Sequence, residues 1–343
     1  MIAKTIGAMA GGALALSMIS PARADVTLTM NIPMPRASSF FVGVQGPWVK
    51  AVEAESKGHI KFVMPAASLA PVSRQWETIT SGIADITLTP SEYIRDRVKL
   101  PTLAEIPFLA PNGVAASVAI WRTYVKYFAA ANEYKGVKLL GMWTTGGNVL
   151  QTRKRPVTKI SDFTGLKIWV ATPNMAKVIG NFGATPVAAG NNNMYDMMSG
   201  GIVDGAVAGM GALISFQLAH YTKEITIFPG QLGYTLQSFI MNERKYKSLS
   251  PEDRAVIDKL SGESFARMAG QGFVDQDERA EPLVKANGIA THNASPNFMK
   301  ILRERVSFYK ANWLAAAKSR GVDGEAAYDY YVKTAAESAS LMK

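Results

Sequence analysis

The chain has no cysteine and only three histidines among 343 residues. The first absence removes disulfides, thiol nucleophiles, cysteine-bound metals and the lipid-acceptor thiol of a lipoprotein. His59, His220 and His292 stand far apart, with no second ligand at metal-binding spacing, so no zinc site is expected. There is no Gly-x-Ser-x-Gly turn and no phosphate loop. Gly205-Ala-Val-Ala-Gly-Met-Gly211 is glycine-rich, but its spacing is not that of a dinucleotide loop and no ribose-binding acid follows. Asp275-Gln-Asp-Glu278 could suggest a cation site. On a helix, however, Asp275 and Glu278 share a side with Arg279, which reads as a solvated ion-pair face. The expectation is therefore a protein without catalytic residues, metal or cofactor.

Long apolar runs are equally scarce. The segment Ile6 to Ile19 is shorter than the ~20 residues that span a bilayer. It follows Lys4 and precedes Ala22-Arg-Ala24, the pattern of a secretory signal peptide cleaved after Ala24. With no lipid anchor and no later hydrophobic span, a soluble periplasmic protein is expected. The formal net charge is +10, from 37 basic and 27 acidic residues. The basic residues are scattered, and the densest run, Arg153-Lys-Arg155, ends at Pro156 without interleaved aromatics. That argues against nucleic acid and for a basic, solvated surface that mildly favours anions. A hydrophobic content of 48% suits two lobes with separate cores.

What is present is a repeated alternation of short strands and helices. Asp25 to Asn31 alternates as a strand; a helix follows from Phe40 to Lys57, and strands are expected at His59 to Met64 and Ala84 to Thr89. Val114 to Asn132 has helical spacing, and Val137 to Trp143 is a strong strand running into Gly146-Gly147, where the chain can turn. Leu166 to Val170 reads as a buried strand. Met175, Val178, Ile179 and Phe182 then recur at helical spacing, and short strands follow at Gly183 to Val187 and Ile202 to Val207. This β-α-β-α-β run describes half of an α/β lobe. A helix to about Tyr221, a strand at Ile225 to Phe228 and another at Thr235 to Met241 come next, the last expected in the first lobe's sheet. Ser250-Pro-Glu-Asp253 is a helix start, with the helix expected to reach about Lys285. Two further helices are expected, from Pro296 to Arg320 and from Asp323 to about Leu341.

Three ordered blocks carry a resemblance: Asp162-Phe-Thr-Gly-Leu-Lys-Ile-Trp-Val170, Gly183-Ala-Thr-Pro-Val187, and Tyr195-Asp-Met-Met-Ser-Gly-Gly-Ile-Val-Asp-Gly205. Gln75 to Ile86 and Leu100 to Leu109 add further matches. Together they resemble the solute-binding subunits of TRAP transporters, the DctP family of periplasmic proteins that take up organic acids. The resemblance implies an α/β, two-lobed periplasmic-binding-protein-like fold with a hinged cleft and C-terminal helices. Residues 25–146 with about 234–270 would form the first lobe. Residues 147–233 with about 271–343 would form the second lobe and the C-terminal helices. Its partners would be a small organic solute and the TRAP membrane permease subunits, with a monomer and a homodimer both open.

In open α/β sheets, ligands collect at the carboxyl ends of strands. Those ends carry Arg36, Ser91, Tyr93, Asn148, Asn193 and Met210, and they are the candidate ligand-binding residues. Trp169 joins them because the family's carboxylate-binding arginine normally stands at its place. A second family arginine falls on Asn148, and a polar Glu-Asn pair falls on Val207-Ala208. Arg36 and Arg153 are candidate replacements for the lost cation. Indole offers an apolar face, a cation-binding π surface and one donor, but no formal charge. The expected ligand is therefore an aromatic or apolar organic acid rather than a C4-dicarboxylate. A core role for Trp169 is the competing reading of the residue. A cationic or neutral solute, the ligand-binding component of a sensor and an exported enzyme are the competing readings of function.

Overall fold

The structure is a computed structural model that describes residues 25–341. The expected signal peptide lies outside the described residues. In the first lobe, β1 (Val26–Thr29) and β2 (Ile60–Val63) pair in parallel. β10 (Leu236–Asn242) lies between β3 (Ile86–Pro90) and β4 (Val137–Thr144), antiparallel to both. A bridge from Met30 to Ile86 joins the two groups into one surface. Leu28 and Met30 face the core here because the alternation of β1 continues into the bridge residue Met30, which puts both side chains on the same face. Trp48 meets Phe239 edge-on at 4.9 Å, and Phe239 stacks on Phe265 at 4.8 Å. Gly141 is required beneath that stack, since a Cβ there would run into the Phe265 ring.

The second lobe holds a six-stranded sheet in the order β11-β9-β5-β8-β6-β7. Its strands are β5 (Val149–Thr152), β6 (Lys167–Val170), β7 (Thr185–Ala188), β8 (Gly205–Ala208), β9 (Glu224–Ile227) and β11 (Ala290–Asn293). β6, β7 and β8 are mutually parallel, as the β-α-β-α-β reading requires. Between β6 and β7 runs the helix Pro173–Phe182. Thr172 caps it by accepting the Met175 N–H at 3.1 Å, and Gly183 ends it in the left-handed region at φ 102°. The helix buries Met175, Val178, Ile179 and Phe182, the four residues whose spacing predicted it.

Some elements differ from expectation. The helix starting at Ser250 stops at Lys259, and a second, Gly262–Ala286, begins after a break, because Gly262 takes φ +68°. The helix expected to reach Tyr221 ends at Ser215. The helix expected over 296–320 is two, Pro296–Arg305 and Phe308–Lys318. β5 and β11 were not anticipated: β5 follows the glycine pair directly, and β11 is a polar edge strand.

The long helix Gly262–Ala286 packs on the helix Gly113–Thr123, on β4 and on the π-helix Phe40–Gln45, and it also touches the short helix Ala212–Ser215 after β8. Its approach to the Gly113 helix is close: a Cβ on Gly270 would lie 3.0 Å from the Gly113 carbonyl oxygen. The middle of this helix therefore stands at the junction of the lobes. Among the described residues, no helix is long and apolar enough to cross a membrane.

Candidate functional site

A cavity of about 650 Å³ opens between the lobes, within the range of small-molecule sites. The loop after β1 contributes Pro33 to Pro35 and Ala37 to Phe40, and the end of β3 contributes Pro90, Glu92 and Tyr93. Thr145, Gly146 and Asn148 come from the β4–β5 crossing; Trp169, Ala171 and Thr172 from the end of β6; and Val207 to Gly209 from the end of β8. Phe273 and Asp277 reach in from the long helix, and Phe216, Tyr234 and Gln237 add to the aromatic and polar lining. The walls thus come from strand ends, where the parallel sheet leaves a crevice.

Trp169 forms part of the wall although it is only 1% exposed. It belongs to the second lobe's buried apolar cluster with Val149, Met194, Ala206 and Ala208, so the indole is also part of that core. Its ring N–H is buried and makes no hydrogen bond among the described residues. The core and cleft readings of this residue are therefore compatible. Asn148 is fixed through its backbone: its N–H donates to the Gly233 carbonyl at 3.0 Å, and its carbonyl accepts the Leu232 N–H at 2.9 Å. Its side chain lines the cavity, as does that of the 39% exposed Tyr93.

The other expected site residues lie elsewhere. The Arg36 guanidinium donates to the carbonyls of Met64 (3.2 Å) and Pro65 (2.9 Å) and lies over the Phe41 ring, which turns it out of the cavity. Ser91 is fully buried and donates to Glu105, away from the cavity lining. Asn193 is exposed outside the cavity, although its neighbours Asn191 and Met194 line it. Met210 packs against the second lobe's apolar cluster. Arg153 lies against Gly201 and stands outside the lining. Neither arginine, then, lines the cavity.

Glu92 and Asp277 were missed. Burial pushes the Glu92 carboxyl up to about 7, with Glu105 adding to the rise and a backbone N–H and Arg95 opposing it. Burial likewise lifts Asp277 to about 7, against one hydrogen bond from the Gly211 N–H at 2.7 Å. Reading Asp275 with Glu278 hid Asp277, which follows Phe273 by four residues and so shares its inward face. The buried series Phe265, Ala269 and Phe273 was the signal that could have found it. Among the described residues lining the cavity there is no lysine, arginine or histidine.

Residues 34–314 match the family model for bacterial extracellular solute-binding protein, family 7, also termed DctP. Over 323 residues the chain is 30% identical to the outer membrane transporter protein TsaT of Comamonas testosteroni, covering 94% of this chain and 95% of that protein. A TRAP periplasmic solute-binding protein from Bordetella bronchiseptica, solved with (R)- and (S)-mandelate bound, is 29% identical at a TM-score of 0.86. The match covers 91% of this chain and 99% of that one. A marine-metagenome TRAP solute-binding protein specific for aromatic acid ligands, solved with 3-hydroxybenzoate, is 27% identical at a TM-score of 0.84. The match covers 92% of this chain and 99% of that one.

Proposed function

Because the chain belongs to the DctP family, family 7 of the bacterial extracellular solute-binding proteins, we propose that its cavity captures a small aromatic organic acid. The protein has the fold of a TRAP solute-binding receptor. In this reading it works in the periplasm, closes its lobes on the solute and presents it to the membrane permease, performing no chemistry on it.

The observation that carries the ligand class is the buried indole of Trp169 in the cavity wall, at the place where a carboxylate-binding arginine is the family norm. Phe40, Phe216, Phe273, Tyr93 and Tyr234 add aromatic surface around it. An aromatic ring gains from such walls by area burial and by edge or offset stacking. A C4-dicarboxylate would bring two charges into a cavity whose described lining holds no cation, a large desolvation penalty without compensation. Binding of mandelate and 3-hydroxybenzoate by the similar receptors supports the same class.

A thermal-shift screen of ligand-stripped protein tests the proposal. A solute bound at about 100 times its Kd stabilises by about 2.7 kcal/mol. Benzoate and mandelate should raise Tm, and succinate and malate should leave it unchanged. The largest shift from succinate or malate would overturn the assignment. The two carboxylates in the lining favour one second reading, a cationic aromatic solute; a shift with benzylamine and none with benzoate would establish it.

A further inference from the structure

A carboxylate entering this cavity meets two acids and no basic side chain among the described lining residues. The ligand's negative charge must therefore be met by neutral donors or by a proton. Asp277 is built into the place where that question is decided. Its carboxylate accepts the Gly211 N–H at 2.7 Å. Three glycines let the backbone close around it: a Cβ on Gly146 would collide with the carboxylate, one on Gly211 would come within 3.2 Å of Oδ1, and one on Gly209 within 3.4 Å. Gly146 lies two residues before Asn148, and Gly209 follows Ala208. The acid thus stands beside Asn148 and Ala208, two positions where the family resemblance places polar anchors.

We infer that Asp277 meets the ligand's carboxylate as a protonated acid, so that capture of the anion takes up one proton from solvent. The inference rests on the aromatic-acid reading above. Two carboxylates held close together in a water-excluded site cannot both stay ionised, and one proton shared between them turns repulsion into an O–H···O⁻ hydrogen bond. The proton comes from bulk water, and no other bond forms or breaks. Burial already lifts Asp277 to about 7, so protonation near neutral pH is cheap.

Among the described residues, the charged groups on the surrounding elements are paired or face elsewhere. On the Gly113–Thr123 helix, Arg122 is paired with Glu263 at the first turn of the long helix. Lys138 of β4 is paired with Asp258. The π-helix Phe40–Gln45 and the short helix Ala212–Ser215 carry no titratable side chain. Tyr234 is within electrostatic reach, and its hydroxyl donates to the Ala110 carbonyl at 3.0 Å. On the long helix itself, Asp275 accepts from Gln271, and Glu278 and Arg279 are exposed. Glu92, the other acid in the lining, is also lifted to about 7 by burial, with Glu105 raising it and Arg95 lowering it; what sets Asp277 apart is its seat against Gly146, Gly209 and Gly211.

The sign follows from linkage. The bound anion raises the acid's pKa above its free value, so affinity is flat below about pH 7 and falls about tenfold per pH unit above it. Calorimetric titration of the purified receptor with sodium benzoate, from pH 6 to 9 in phosphate and in Tris, reads both quantities. Proton uptake should be near zero at pH 6 and approach one per benzoate at pH 8 or above. Asp277→Asn keeps the Gly211 acceptor and supplies a permanent donor, so it should bind benzoate, lose the proton uptake and flatten the profile. Uptake that survives in Asp277→Asn but disappears in Glu92→Gln would assign the proton to Glu92 and overturn the inference. A wild-type Kd constant from pH 6 to 9 without proton uptake overturns the inference, whatever the variants do. Undiminished uptake in Asp277→Asn removes it from Asp277. If neither benzoate nor mandelate binds at any pH, the aromatic-acid reading fails first and the inference falls with it.

Discussion

Replacing Trp169 with phenylalanine separates the two roles of this side chain. The substitution keeps an aromatic ring in the wall and deletes the indole N–H. That N–H is buried and unpartnered among the described residues, so its loss removes no intramolecular hydrogen bond. The remaining cost is packing around Val149, Met194, Ala206 and Ala208, about 1–2 kcal/mol for a partial loss of buried volume. Binding should suffer more. A hydrogen bond from the indole to a ligand carboxylate is worth about 1.5–3 kcal/mol, which corresponds to a roughly 10- to 100-fold weaker Kd. Urea unfolding of the ligand-free variant measures the first quantity and calorimetry with benzoate the second. An unchanged Kd in a folded variant would show that the N–H does not meet the ligand and would refute the reasoning.

Other substitutions have distinct signatures. Trp169→Ala should abolish benzoate-induced stabilisation and lower the ligand-free stability by about 3–5 kcal/mol, read by thermal and urea melts. Gly146→Ala should weaken benzoate binding by at least about tenfold, because its Cβ collides with Asp277; calorimetry checks this. Arg36→Ala and Arg153→Ala should change Kd by no more than about twofold, since both side chains lie outside the cavity lining. Glu92 and Asp277 both have folded pKa values raised to about 7. Each therefore contributes stability that is fully present below about pH 4 and is lost as pH rises through 7, on the order of 1–3 kcal/mol per group. Urea melts of the ligand-free protein at pH 5 and pH 8 should show the loss, and Asp277→Asn should reduce it.

The sequence made the second lobe's parallel core readable because local signals and tertiary burial agree there. Thr172 caps, Gly183 terminates, and Met175, Val178, Ile179 and Phe182 fill the face between them. Trp169 was visible for a different reason, as a discordant residue within a recognisable block. The failures are tertiary. The loop after β1 lines the cavity, yet Arg36 turns back because the Met64 and Pro65 carbonyls and the Phe41 ring hold it. Asp277 reads as one charge among several on a polar helix segment. Only the crossing of that helix with Gly146, Gly209 and Gly211 makes it a cavity acid. The polar edge strand β11 has no periodic apolar pattern to announce it, and pairing with β9 creates it.

At the centre of the proposal stands selection of an aromatic acid by an aromatic-walled cavity whose described lining holds no arginine. Paired calorimetric titrations at pH 6.5 with benzoate and with succinate test it most directly. Saturable one-to-one binding of benzoate, with no heat of binding from succinate, is the predicted result. Tight succinate binding with no response to benzoate would contradict it.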